Sequence, residues 1–222
     1  MLKCNMMAKR GVFMKKILFD LDNTLLFISK DWTLAYKKFI EKYHLDISPE
    51  ELFHVIGTFE KNINNIVVTN KTLCDYINDN SSIYITEEML DDLLEAYKNV
   101  PLLKTDEIFD VLQYLSQKYE LIVYSNWFTK DQINRLKRYH LNHFFSEIYG
   151  WDTLPKKPSK EGLKAIIKNN NVNEYISIGD SIEYDLQIPD SMGMDTIFYN
   201  RKQIEQDKYK EIYHIVELKS IL

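Results

Sequence analysis

Cysteine is nearly absent from this 222-residue chain: only Cys4 and Cys74 occur. Neither belongs to a Cys-x-x-Cys pair, so a structural zinc site and a disulfide framework are both excluded as organising devices. That usage suits a reducing cytoplasm. No apolar run approaches transmembrane length, and Met6-Met7-Ala8 is too short for the apolar region of a signal peptide. A membrane role is therefore not expected, and residues 1–13 read as a ragged arm ahead of Met14. The formal net charge is −5 and there is no basic block, which argues against nucleic acid as a partner. Five histidines are scattered without a His-Glu-x-x-His pair. There is no Gly-x-x-x-x-Gly-Lys phosphate loop and no Gly-x-Ser-x-Gly elbow. These absences exclude a zinc protease, a phosphate-loop nucleotidase and an elbow-type serine hydrolase.

What is present begins at Lys16-Ile17-Leu18-Phe19-Asp20-Leu21-Asp22-Asn23-Thr24-Leu25. A short apolar run ending in a carboxylate reads as a buried strand. Ligands bind at the C-terminal ends of parallel strands. Residues i and i+2 of an extended segment share a side, so Asp20 and Asp22 are expected to lean together. After Leu25 the period changes to helical: Trp32, Ala35, Tyr36, Phe39, Ile40 and Tyr43 form one stripe. Ser48-Pro49-Glu50-Glu51 opens a second helix, a third is expected over about residues 60–80, and Thr86 opens a fourth towards Lys98. From Thr105 helices alternate with strands at Leu121–Tyr124, Ile148–Tyr149, Tyr175–Ile178 and Thr196–Tyr199, with Thr129 and Ser159 as helix caps. Such alternation means βαβ units and a parallel sheet. The expected fold is α/β: a doubly wound, Rossmann-like core of residues 1–26 and 99–222, with an all-helical cap inserted at 27–98.

Several strands finish on polar residues at the same sheet edge: Asp20 and Asp22, Ser125 and Asn126, Asp180 and Ser181. Three carboxylates converging there require a cation, and hard oxygen ligands suit Mg²⁺. Asp185 follows close behind, able to join the metal shell or hold a lysine. Lys157-Pro158 precedes the helix capped by Ser159, and a lysine there could balance a phosphate and an aspartate together.

Four motifs in this order resemble the haloacid dehalogenase superfamily, in its phosphatase branch with a helical cap. They are Asp20-Leu21-Asp22-Asn23-Thr24, Ser125-Asn126 after an apolar strand, Lys157-Pro158, and Gly179-Asp180-Ser181 with Asp185. The likeness spans about residues 15–200, and Gly150-Trp151-Asp152 ahead of Lys157 is similar to phosphoglycolate-phosphatase-like members. The resemblance implies that Asp20 is the nucleophile, forming an aspartyl-phosphate, and that Asp22 is the general acid and base. It implies that Thr24, Ser125 with Asn126, and Lys157 hold phosphoryl oxygens. Asp20, the backbone carbonyl of Asp22 and Asp180 would ligate Mg²⁺, with Asp185 and Ser181 in support. The implied substrate is a small phosphorylated metabolite, and the implied enzyme a monomer or homodimer. A dehalogenase, a phosphomutase and a non-catalytic phosphate-binding module are the competing functions. Asp22 weighs against the dehalogenase, because that reaction needs no protonated leaving group. The aromatic-rich first helix and Trp127 are expected to serve as cap core or as a rim of the substrate pocket.

Overall fold

The computed structural model describes residues 15–28, 33–97, 100, 102–103 and 107–222. Its centre is β1 (Lys16–Phe19), whose Ile17, Leu18 and Phe19 are buried. Side chains alternate across a strand, and here that alternation feeds two cores. Ile17 and Phe19 enter the cluster beneath one face of the sheet, and Leu18 enters the cluster on the other. Burial on both faces explains why β1 reads as a continuous apolar run rather than an alternating one.

Beyond β1 the chain forms β2 (Phe27–Ile28) and then four helices, α1 (Thr33–Tyr43), α2 (Pro49–Asn62), α3 (Asn70–Asn80) and α4 (Glu87–Tyr97). It returns through β3 (Leu102–Leu103), which pairs antiparallel with β2. The departing and returning segments thus make a two-stranded ribbon, a feature too short to signal itself in sequence. The rest alternates: α5 (Glu107–Leu115), β4 (Glu120–Tyr124), α6 (Thr129–Arg138), β5 (Phe145–Tyr149), α7 (Lys160–Ile167), β6 (Tyr175–Gly179), α8 (Gln187–Ser191), β7 (Asp195–Tyr199), β8 (Lys210–Ile212) and α9 (Leu218–Ile221). The main sheet runs β5-β4-β1-β6-β7-β8, and every pairing in it is parallel. Ile108, Val111, Leu112 and Leu115 of α5 and Leu218 of α9 cover one face, and Leu163, Ile166 and Ile167 of α7 cover the other. This is the doubly wound α/β fold expected from the sequence.

Local chemistry sets the helix ends. The Ser48 hydroxyl accepts from Glu51 N–H at 3.1 Å, and the Ser159 hydroxyl accepts from Gly162 N–H at 2.9 Å. Three expectations need correction. The helix expected over about 60–80 is two helices, broken at Ile63–Thr69 where Asn65 adopts φ 59° and the backbone bonds elsewhere. Thr129 does not cap α6; its hydroxyl donates to Asp152 at 2.7 Å and accepts from Gly150 N–H at 2.9 Å. Strand β8 was not anticipated, because Lys210-Glu211-Ile212 offers one apolar residue at a sheet edge. Trp32, the Lys98 end of the fourth helix, both boundary residues at 98 and 99, and residues 1–13 lie outside the described residues.

The four helices bury a second core of their own, containing Tyr36, Phe39, Leu52, Phe59, Leu73, Ile77, Leu90 and Leu93. Two side chains from the sheet side enter it, Phe128 and the fully buried Trp151. Backbone bonds reinforce the joint: Val68 N–H to Trp151 O (2.6 Å), Lys156 N–H to Ile66 O (2.7 Å) and Asn65 N–H to Lys156 O (3.2 Å). The α2–α3 loop is therefore stitched to residues 150–159. Trp151 packs edge-on against Phe59 and Phe128 and beside Trp127. Truncating so large a buried ring removes its transfer energy and leaves a cavity. Trp151→Ala should cost about 3–5 kcal/mol in urea unfolding, and a loss below about 1 kcal/mol would show that the two cores are not joined there.

Candidate active site

Strands β4, β1 and β6 are neighbours, so their C-terminal ends deliver Ser125, Asp20 and Asp180 to one edge. Asp20 N–H extends the ladder to Ile178 O at 2.9 Å. The ammonium of Lys157 donates to Asp20 Oδ1 at 2.8 Å and to Asp185 Oδ1 at 2.6 Å, with all three side chains at most one-tenth exposed. A single π-helical turn, Ile182–Leu186, presents Asp185. Its Oδ2 accepts from Ser181 N–H at 3.0 Å, and its carbonyl accepts from Ser177 Oγ at 2.8 Å. Position 179 must be glycine: a Cβ there would sit 2.2 Å from Asp185 Oδ2.

Oxygens of Asp20, Asp180 and Asp185 lie within 4.8 Å of one another. Burial pushes the Asp20 carboxyl up to about 7; Lys157 opposes this, while Asp185 and Asp180 add to it. Burial likewise raises Asp180, to about 6, with Asp185 adding and Lys157 and Lys202 opposing. For Lys157, burial favours the neutral amine, but Asp185 and Asp20 outweigh it and hold the ammonium well above its ordinary range. One ammonium among three crowded carboxylates leaves negative charge in excess. Hard, converging oxygen donors of this kind fit a Mg²⁺-type cation.

The remaining sequence candidates distribute themselves differently from expectation. The carboxylate of Asp22 does not join the acidic cluster; it lies on Arg135, bonded at 2.5 Å and 3.2 Å by the two guanidinium Nη atoms. The chain turns sharply through Leu21–Leu26, with Leu25 and Leu26 N–H both bonding Leu21 O at 2.9 Å. That turn ends the extended geometry on which a shared direction for Asp20 and Asp22 depended. Thr24 is fully buried, and its hydroxyl finds no hydrogen-bond partner among the described residues. Ser125 is buried beside Asp20's strand. The Asn126 amide brackets the backbone of Lys157, donating to Lys157 O at 3.1 Å and accepting from Lys157 N–H at 2.8 Å, and the residue also lines a pocket beside the sheet edge. The Ser181 hydroxyl caps the π-turn through Tyr184 N–H.

Sequence reasoning missed a buried polar face on α6. Asp131, Gln132 and Arg135 are all nearly inaccessible. Gln132 Nε2 donates to Ser125 O and Trp127 O, each at 3.1 Å, and Arg135 Nε pairs with Asp131 at 3.1 Å. The i, i+4 spacing of Asp131 and Arg135 was the available signal. Lys156 was missed too. It is fully buried, donates to Glu60 O and Asn64 Oδ1, and burial pushes its ammonium down to about 8. Between the helices and the sheet edge lies a pocket of about 340 Å³. Asp22, Arg135, Glu60 and Asn126 line it, together with the rings of Tyr36, Tyr97 and Trp127. Trp127 holds φ 126°, a region costly for a bulky residue and most often tolerated at functional sites.

A parallel sheet with acidic strand ends around a buried lysine has counterparts among known proteins. Residues 17–199 match the family model of the haloacid dehalogenase-like hydrolases, and the chain belongs to that family. Among curated proteins it is 28% identical over 129 residues to the HAD-hydrolase YfnB of Bacillus subtilis, a match that takes in 52% of this chain and spans about half (55%) of that relative. The crystal structure of YfnB, described as bound to magnesium, superposes with a TM-score of 0.67 at 21% identity, covering 94% of this chain and 98% of that one. A predicted phosphoglycolate phosphatase from Haemophilus somnus gives 0.65 at 20% identity over 95% and 98%. A 2-haloacid dehalogenase from Pseudomonas syringae gives 0.69 at 16% over 94% and 97%. At these identities the structural likenesses establish the fold alone.

The raised carboxyls carry a consequence for cation binding. A cation must displace the protons that Asp20 and Asp180 hold near neutrality, so its affinity should rise as pH increases from about 6 to about 8. Calorimetric titration of Mg²⁺ into the metal-free protein across that range checks this; an affinity independent of pH would contradict it.

Proposed function

We propose that this hydrolase cleaves small phosphomonoesters through an aspartyl-phosphate on Asp20, with Mg²⁺ as its cofactor. One observation carries the reading: a second carboxylate, Asp22, two residues beyond the buried Asp20, lines the 340 Å³ pocket that a leaving group would occupy. An alkoxide departing from phosphorus needs a proton, and a carboxyl beside it supplies one. A departing halide needs none, so Asp22 would be idle in a dehalogenase.

The chain's own groups divide the work. A carboxylate oxygen of Asp20 attacks phosphorus as the ester P–O bond breaks, and Asp22 gives its proton to the leaving oxygen. Asp22 then takes a proton from the water that attacks the aspartyl-phosphate, which restores Asp20 and releases phosphate. Lys157 offsets the charge on the phosphoryl oxygens, and Thr24 and Ser125 donate their hydroxyls to them. Asp20 and Asp180 with the Asp22 carbonyl would hold Mg²⁺, Asp185 supporting. That cation supplies charge neutralisation at the transferring group. Residues 27–98 form the cap, whose helices exclude water during the covalent step. A pocket of this size beneath the helices suits a metabolite rather than a folded phosphoprotein. The described residues include no helix long and apolar enough to cross a membrane, and we assign the enzyme to the cytoplasm.

The test is turnover of 4-nitrophenyl phosphate and of a panel of phosphorylated metabolites. Activity should vanish in chelator and return with Mg²⁺. Asp20→Asn should retain its fold and fall below about a thousandth of the wild-type rate. Full activity in chelator, or near wild-type rates for Asp20→Asn, would overturn the assignment.

A further inference from the structure

Asp22 sits on a sharp turn with its side chain about a quarter exposed. Left to itself, such a carboxylate samples several rotamers. Proton transfer to a leaving oxygen demands placement within hydrogen-bond reach, and small misplacements are costly: about 1 Å can lose about 10²-fold in rate. The structure contains a device that removes this freedom. Arg135 Nη1 and Nη2 take the two oxygens of Asp22 at 2.5 and 3.2 Å. A planar fork of this kind sets the plane of the carboxylate as well as its position. The fork is itself fixed, because Arg135 Nε pairs with Asp131 at 3.1 Å and the side chain is 5% exposed. The helix carrying it is fixed in turn, by Gln132 bonding the carbonyls of Ser125 and Trp127. A single helix therefore registers the loop after β4 against the carboxylate after β1.

We propose that Arg135, braced by Asp131, is a positioning residue that aims Asp22 at the leaving group. The proposal rests on the phosphatase reading above. A carboxylate offers about four acceptor positions. A fork occupying one on each oxygen leaves one on each for the proton that passes to the leaving oxygen and returns from water. Arg135 and Asp22 line the same pocket, the space in which the proposed leaving group would lie. Arg135 itself donates no proton to the reaction and touches no reacting atom.

The experiment compares phenyl phosphate with 4-nitrophenyl phosphate, two esters of nearly the same shape whose leaving groups differ in their need for a proton. In Arg135→Gln, kcat/KM for phenyl phosphate should fall at least about tenfold further than that for 4-nitrophenyl phosphate. In Arg135→Lys, which keeps the charge beside Asp131 but loses the fork, the split should go the same way by a smaller factor. A merely structural role would lower both substrates together, and that result, or no change in either, overturns the proposal. Should Arg135→Gln fail to fold, Arg135→Lys decides by the same criterion. If the wild-type protein cleaves neither these esters nor any member of the metabolite panel, the phosphatase reading fails; if it cleaves neither ester, crystal structures decide the positioning claim. Asp22 turned away from its wild-type orientation in Arg135→Lys supports it, and Asp22 unmoved overturns it.

Discussion

Everything at the sheet edge is arranged around the burial of one ammonium. Lys157 lies between Asp20 and Asp185 with almost no access to solvent. A buried cation is tolerable only where paired and hydrogen-bonded, and removing a partner leaves an uncompensated charge. The loop bearing it is held accordingly. Asn126 brackets its backbone, the neighbouring Lys156 ties the loop to α2 through Glu60 O and Asn64, and Ser159 bonds Asn65 at 2.5 Å. The same bonds fasten the helical layer to the sheet. The position of the lysine and the seating of the helices are thus one constraint, shared through residues 150–159.

A second triad repeats the pattern a short distance away. Asp20–Lys157–Asp185 places a cation between two carboxylates at the sheet edge, and Asp22–Arg135–Asp131 does so beside the pocket proposed for the leaving group. The cations differ in a way that suits their surroundings. Lys157 is a compact point charge able to serve two carboxylates and a phosphoryl oxygen. Arg135 is a rigid fork that fixes a plane. The first triad sits with Asp180 in an excess of negative charge, which a divalent cation relieves. Among the described residues, the second has no third carboxylate within its ion-pair set.

The sequence made legible whatever depends on local pattern. The run Ile17-Leu18-Phe19 into Asp20 shows a buried strand with a carboxylate at its end, because burial on both faces forces continuous hydrophobicity. Ser48 and Ser159 reveal helix starts because capping is a contact within three residues. Asp20, Lys157 and Asp180 were readable from order and strand context. Arg135, Asp131 and Gln132 were not, since α6 is rich in charge and a polar face reads as solvated until its neighbours are known. Lys156 carries no local signal that separates it from the other lysines of the chain. The bonds of the Asn126 amide to the Lys157 backbone were not legible, because that partner lies 31 residues away. The Asn-rich run Asn62–Asn65 reads as a loop or helix end and α2 does stop at Asn62, but the rest of that loop, up to Thr69, is defined by bonds to Trp151 and Lys156 rather than by local propensity.

The central claim is that Asp20 becomes covalently phosphorylated during turnover. The direct measurement is acid quenching of the enzyme during reaction with 4-nitrophenyl phosphate and Mg²⁺, then borohydride reduction of any acyl phosphate and peptide mass spectrometry. The account predicts reduction at Asp20 alone, dependent on substrate and lost in Asp20→Asn. Modification at another residue, or turnover with no trapped acyl phosphate at Asp20, would contradict it.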